Sequence, residues 1–239
     1  MNILEAKQHL KENGYCFFNL KDFKEEYFAF LKDYLMCNEA KNIQKAFKYL
    51  RADWSENDGE TFVPKRLQSQ FLNFEEANLQ KEEILQKKKD GFKLSQLWFY
   101  TEPYEVEKII NKNDFLTPFL KKIFSDVSKN FYDLDENTKI NHLLTLTYYD
   151  RGCTLGNHSD GYGGNRICAC LMYLNESYNE SDGGYLVLNN ELKVLPEIGN
   201  FAIIDLTKFD VPHMVTEVTG GIGRYACLNF ISTGETDWK

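Results

Sequence analysis

The hydrophobic pattern of this chain changes its period part-way along. Over residues 1–136, apolar and aromatic side chains recur at helical spacing. Leu4 and Leu10, with Lys7 and His9 between them, mark a short first helix that Asn13-Gly14 should stop. Tyr15-Cys16-Phe17-Phe18 reads as a short buried strand. Phe23, Tyr27, Phe30, Leu31 and Tyr34 make one face of an amphipathic helix. A charged helix is predicted from Glu75 to Lys89, a strand from Leu97 to Tyr100, and a helix along Phe115, Phe119, Ile123, Val127 and Phe131. From about residue 140 the runs shorten and become strand-like. They are Leu143 to Tyr149, Ile167 to Leu174, Gly184 to Leu188, Asn200 to Leu206 and Tyr225 to Ser232, separated by Gly, Asn, Asp and Ser clusters typical of turns.

Helices first and strands afterwards predict an α+β fold, with helices packed against a mostly antiparallel barrel or sandwich. We expect one unit over residues 1–239, with a mainly helical portion at 1–136 and the strand-built core at 137–239. At 43% hydrophobic and 15% aromatic residues the chain has ample material for a packed interior. Its formal charge of −8 argues against a binder that neutralises nucleic-acid phosphates. There is no apolar run long enough for a membrane span, and Met1 to Tyr15 carries scattered charge without an apolar signal core. Six cysteines without paired zinc-type spacing suit a reduced, cytoplasmic protein. Cys168 and Cys170 should face one side of their strand as small core residues.

Only four histidines occur, at 9, 142, 158 and 213. His158-Ser159-Asp160 closes a strand-like segment, and alternate residues of an extended chain share a face, so imidazole and carboxylate can reach one metal. Alone, the step is a weak signal, and a surface turn whose Asp bonds backbone amides is the simpler reading. His213 follows downstream. Two histidines and one carboxylate on one side of a metal leave positions open, as in non-haem iron(II) oxygenases. A zinc hydrolase could use the same three residues, although no general base lies beside them. Arg224 comes just after Gly220-Gly221-Ile222-Gly223 and opens an apolar strand, where a guanidinium can hold a carboxylate by two parallel hydrogen bonds. Arg166 also opens a strand; for both arginines a salt bridge at the sheet end is the alternative, and for Arg166 it is the simpler reading.

From Leu144 to Ser232 the chain resembles the catalytic core of the iron(II)/2-oxoglutarate oxygenases, in pattern the prolyl-hydroxylase branch. The matching pieces are Tyr149-Asp150-Arg151-Gly152 with Leu155 and Gly156, His158-Ser159-Asp160, Arg166, Leu171-Met172-Tyr173-Leu174-Asn175 and Gly183-Gly184. Leu195-Pro196-Glu197-Ile198-Gly199-Asn200, Pro212-His213-Met214-Val215 and Gly223-Arg224-Tyr225 complete the series. The resemblance implies a double-stranded β-helix (jelly-roll) core, its outer face covered by helices that come largely from the N-terminal half. It implies His158, Asp160 and His213 as iron ligands, and Arg224 with Tyr173 on the distal carboxylate of 2-oxoglutarate. It also implies that either Tyr148 or Tyr149 lines the co-substrate pocket. The chain departs from the pattern at Tyr185-Leu186, where relatives often carry Glu-Thr. It departs again at Asn229-Phe230-Ile231, where prolyl hydroxylases often carry tryptophan. Both departures argue against carrying over a peptidyl-proline substrate.

The expected activity is dioxygenase hydroxylation of an unactivated C–H bond in a small molecule or amino-acid residue. Iron(II), 2-oxoglutarate and O2 would be consumed or held, with decarboxylation to succinate. The alternatives are a nucleic-acid or amine demethylase built on the same iron centre, and a non-catalytic jelly-roll binding module. Substrate choice is expected from residues 50–75 (Arg51, Asp53, Trp54, Lys65 and Arg66), from Asn157 to Asn165, and from Asn175 to Asp182. Lys87-Lys88-Lys89 reads as a solvated helix end.

Overall fold

The computed structural model describes residues 1–36, 49–55, 74–89, 93–100, 116–161 and 165–234. Helix α1 (Ile3–Asn13) starts with a capping box in which Asn2 and Glu5 each accept from the other's backbone N–H. It stops at Gly14, whose φ of +81° lets its N–H return to the Leu10 carbonyl. The predicted strand follows as β1 (Tyr15–Asn19), then α2 (Leu20–Phe23) and α3 (Glu25–Met36). Next come β2 (Tyr49–Ser55), the charged helix α4 (Phe74–Lys89), β3 (Lys93–Tyr100) and α5 (Leu116–Phe131).

The remaining strands are β4 (Ile140–Tyr149), β5 (Thr154–His158), β6 (Arg166–Tyr173), β7 (Leu186–Leu188), β8 (Leu192–Val194), β9 (Asn200–Asp205), β10 (His213–Val215) and β11 (Arg224–Thr233). All pairings are antiparallel, in the order β1-β9-β6-β11-β4-β3-β5-β10-β7-β8, with β2 on β3. The sheet curls into a nearly closed jelly roll with helices outside, the double-stranded β-helix the sequence led us to expect. Three of its strands, β1, β2 and β3, come from the portion read as mainly helical. Strands β2, β8 and β10 are not among the strand-like runs read from the sequence.

Helix α5 shows why one face of the sheet is dry. Leu120, Ile123, Phe124, Val127 and Phe131 form its buried stripe. Phe124 meets Phe201 of β9 at 5.3 Å, and Phe131 stacks on Phe18 of β1 at 4.9 Å. Burial of each such side chain contributes roughly 1.5–3 kcal/mol. Cys168 and Cys170 lie on this helix-bearing face with their sulfurs 3.5 Å apart, sharing one side as alternation requires. The five cysteines among the described residues are free and buried; Cys37 lies outside them. Among the described residues, no helix is long and apolar enough to cross a membrane.

Candidate functional site

Two clusters face the interior of the barrel, on opposite sides of β3. The first is built on β5 and β10, which pair with His158 directly across from His213. The imidazoles lie 4.2 Å apart between ring centroids. His158 Nδ1 is 3.0 Å from the Gly156 carbonyl, and His213 Nδ1 is 3.1 Å from the Val211 carbonyl. A carbonyl only accepts, so each ring carries its proton on Nδ1 and turns the Nε2 lone pair inward. Asp160, just past the end of β5, sets one carboxylate oxygen 3.7 Å from each Nε2. The ligand atoms of the three residues all lie within 4.8 Å of one another.

Burial lowers the pKa of His213, opposed by the charge of Asp160 and reinforced by His158, which favours the neutral imidazole that a metal requires. The His213 side chain is only 8% exposed and that of His158 is 35% exposed, so the cluster opens to solvent on the His158 side. Two imidazoles and one carboxylate on one side fit a divalent iron with free positions opposite.

The second cluster centres on Arg224 at the start of β11. It is 1% exposed and the largest fully buried side chain among the described residues. Its Nη2 donates to the Tyr173 hydroxyl at 3.1 Å, and its guanidinium lies 4.7 Å from the Tyr149 ring and 5.0 Å from the Tyr173 ring. Its Nε has no partner, and among the described residues no carboxylate pairs with it. A buried cation without a counter-ion is costly, so the pocket is built to receive an anion. Tyr173 is wholly buried and stays a neutral donor: burial raises its pKa, with Arg224 pulling the other way.

The register of β4 separates the two candidate tyrosines. Tyr149 lies across from Arg224, beneath its guanidinium, and stacks on Trp98 with planes 5° apart. Tyr148 belongs to the opposite face, stacked 4.6 Å from Tyr225 and close to Phe99. Tyr148 therefore does not line the pocket, because neighbouring residues on a strand point apart.

Two residues near Arg224 had no individual role in the sequence reading, although both lie in the Asn175 to Asp182 segment expected to set substrate choice. Asn175 spans the backbone around it, donating to the Gly223 carbonyl at 2.6 Å and accepting from the Tyr225 N–H at 2.8 Å. Tyr178 approaches from the Gly183-Gly184 turn. A Cβ on Gly184 would sit 2.7 Å from the Tyr178 hydroxyl and 3.4 Å from Arg224 Cδ, which accounts for the glycine there. Burial lifts the Tyr178 hydroxyl to about 12. Asn175 stands in the quoted Tyr173-Leu174-Asn175 stretch, but the grip could not be read without knowing where β6 ends.

Helix α4 packs from outside on the turn between β4 and β5 and on the segment after β10. Its buried Lys81 pairs with Asp150, Leu85 packs over Gly152, and Lys88 pairs with Glu217. Of the expected substrate-facing segments, Asn175 to Asp182 is described, and Asn157 to Asn165 is described except for 162–164. The side chains of Arg51, Asp53 and Trp54, with Lys65 and Arg66, lie outside the described residues. Arg166 makes no ion pair among the described residues; its guanidinium lies 5.6 Å from the Phe230 ring instead.

Residues 144–232 match the 2OG-Fe(II) oxygenase superfamily. No curated protein matches the chain. Among solved structures, the fold is similar to that of a prolyl hydroxylase from Trichoplax adhaerens, solved in complex with a hypoxia inducible factor oxygen degradation domain peptide fragment. That pair has 15% identity and a TM-score of 0.55, covering 95% of this chain and 87% of the other. IDO from Bacillus thuringiensis aligns at 13% identity and a TM-score of 0.50, covering 98% and 97% of the two chains. A prolyl-4-hydroxylase from Pseudomonas putida aligns at 14% identity and a TM-score of 0.45, covering 95% and 97%. Over residues 144–232 the chain is thus similar to the 2OG-Fe(II) oxygenase superfamily, and its fold is similar to that of a prolyl hydroxylase.

Proposed function

We propose that this protein hydroxylates an unactivated C–H bond of an amino-acid residue or small molecule. In this reading His158, Asp160 and His213 hold the iron, and Arg224 with Tyr173 and Tyr149 seats the distal carboxylate of 2-oxoglutarate. The observation that carries it is the Arg224 guanidinium, 1% exposed and without a carboxylate partner among the described residues. Bound iron with 2-oxoglutarate and O2 supplies the oxidation, turning C–H into C–OH while the oxo acid becomes succinate and carbon dioxide.

The protein's own part is placement. The two Nδ1–H donors fix the ring planes of the ligating histidines, and Asp160 offers a fixed negative charge between them. Tyr173 and Arg224 donate toward one anionic group, and the stacked Trp98 and Tyr149 exclude water from beneath it. Further along the same face of the sheet, Leu143, Thr145, Leu171, Leu228 and Phe230 are only half-buried, with Arg166 beside Phe230. This strip is an apolar seat with one cation at its rim, suited to the body of the primary substrate. The overall charge of −8 disfavours a polyanionic one and hence the nucleic-acid demethylase alternative.

The test is an anaerobic titration with iron(II) and 2-oxoglutarate, followed by the weak visible charge-transfer band. The band should appear with the wild type and be lost in His213→Ala. Absence of the band, with no iron retained, would overturn the proposal.

A further inference from the structure

We propose that Asn175 is a positioning residue for co-substrate recognition, holding the main chain on both sides of Arg224 so that the guanidinium meets the distal carboxylate. The inference rests on the reading of Arg224 given above. Asn175 is 1% exposed, so its side chain is closed off from solvent. Its amide donates to the Gly223 carbonyl at 2.6 Å and its Oδ1 accepts from the Tyr225 N–H at 2.8 Å. The residue thus grips the peptide groups immediately before and after Arg224.

The need for such a grip follows from the strand geometry. On one side Arg224 is paired with Tyr149 of β4. On the other, β6 ends at Tyr173, whose partner is Ala226, so the regular ladder stops two residues short of Arg224. The Leu174 N–H still reaches the Tyr225 carbonyl at 3.1 Å, and beyond it the Asn175 side chain takes the place of the missing strand backbone. The preceding Gly223 has φ of +85°, and a Cβ there would lie 2.4 Å from the Tyr148 ring. A glycine beside the key side chain loosens the chain where placement matters, and Asn175 offsets that freedom. Asn175 is itself tied down: its carbonyl accepts from the Ile198 N–H at 2.7 Å, within the Pro196–Gly199 turn.

The experiment measures equilibrium binding of 2-oxoglutarate and of pyruvate to the manganese(II)-loaded protein without oxygen. Pyruvate keeps the 2-oxo acid end and lacks the distal carboxylate, so the ratio of the two affinities reports on the arginine end alone. The variants are Asn175→Ala and the isosteric Asn175→Asp, which keeps the acceptor for Tyr225 but sets a carboxylate oxygen against the Gly223 carbonyl. Arg224→Lys is the control. We expect the 2-oxoglutarate preference to fall about tenfold in Asn175→Asp, with pyruvate binding unchanged, a loss equivalent to about 1.4 kcal/mol. Should Asn175→Ala not fold, Asn175→Asp is decisive by itself. An unchanged ratio in Asn175→Asp, or equal weakening of both acids, with a fallen ratio in Arg224→Lys, overturns the role of Asn175. An unchanged ratio in Arg224→Lys instead overturns the reading of the arginine pocket.

Discussion

His158 and His213 face each other across the β5–β10 pair, and each gives its Nδ1 proton to a main-chain carbonyl two residues earlier in its own chain segment. The same local hydrogen bond, made twice, aims two lone pairs at one point beside Asp160. His213 is the more buried of the two, so its loss cannot be made good by water entering from outside. His213→Ala should weaken iron(II) binding about 100-fold or more, on the scale of ligand and ligand-orienting losses. Asp160→Gly should abolish hydroxylation while leaving a folded protein. Metal titration and succinate release read the two effects; full turnover by Asp160→Gly would remove that carboxylate from the ligand set.

Gly223 immediately precedes Arg224 with a left-handed backbone, against the Tyr148 ring. Gly223→Ala adds a Cβ that must either move an aromatic core residue or change the backbone. We expect a loss of about 2–4 kcal/mol in unfolding free energy, combining strain with overpacking. Urea denaturation measures it, and a loss below half a kcal/mol would show that Tyr148 yields freely.

Lys81 and Asp150 are unequal partners. The lysine side chain is 7% exposed and the aspartate 30%. Burial pulls the Lys81 pKa down, but Asp150, aided by Glu82, more than reverses this and leaves it raised. Asp150→Asn leaves a buried cation with only the exposed Glu82 as its partner, whereas Lys81→Met leaves a carboxylate that water can reach. Asp150→Asn should therefore cost about 3 kcal/mol and Lys81→Met clearly less. Equal losses in chemical denaturation would contradict this asymmetry.

His142 lies between α5 and the sheet. Its Nδ1 accepts from the Asn229 amide at 2.8 Å and its Nε2 meets the Ser125 hydroxyl at 3.0 Å. Burial, helped by the charge of Lys121, lowers its pKa from 6.5 to about 4. Between those values the unfolded chain takes up a proton that the folded protein refuses. Stability should thus fall as pH drops from 6.5 towards 4, by about 2 kcal/mol after allowing for residual solvent contact. Metal-free wild type and His142→Gln, unfolded in urea at pH 7 and pH 4.5, should differ in this slope; parallel behaviour would refute the assignment.

The sequence made visible what depends on local spacing. Phe119, Ile123, Val127 and Phe131 announced α5 through their spacing, and Asn13-Gly14 marked the end of α1. The residue types at 158, 160, 213 and 224 announced the chemistry. What stayed hidden depends on pairing across the fold. Alternation says that Tyr148 and Tyr149 point apart, but only the Arg224–Tyr149 register says which of them points inward. The role of Asn175 likewise required the place where β6 stops, and β3 gave no sign in its own residues of the two neighbours it would acquire.

Those two neighbours have a consequence of their own. One end of β3 pairs with β4 through Phe99 and Tyr100, and the other with β5 through Gln96 and Leu97. β4 stands beside the arginine strand and β5 ends in the first histidine. One continuous strand therefore spans the gap between the residues proposed for metal and for anion, like the beam of a caliper with a jaw at each end. In the proposed reading, the separation of those jaws is a gauge for the carbon count of the oxo acid. That gauge is written in residues 93–100, well before either jaw in the chain.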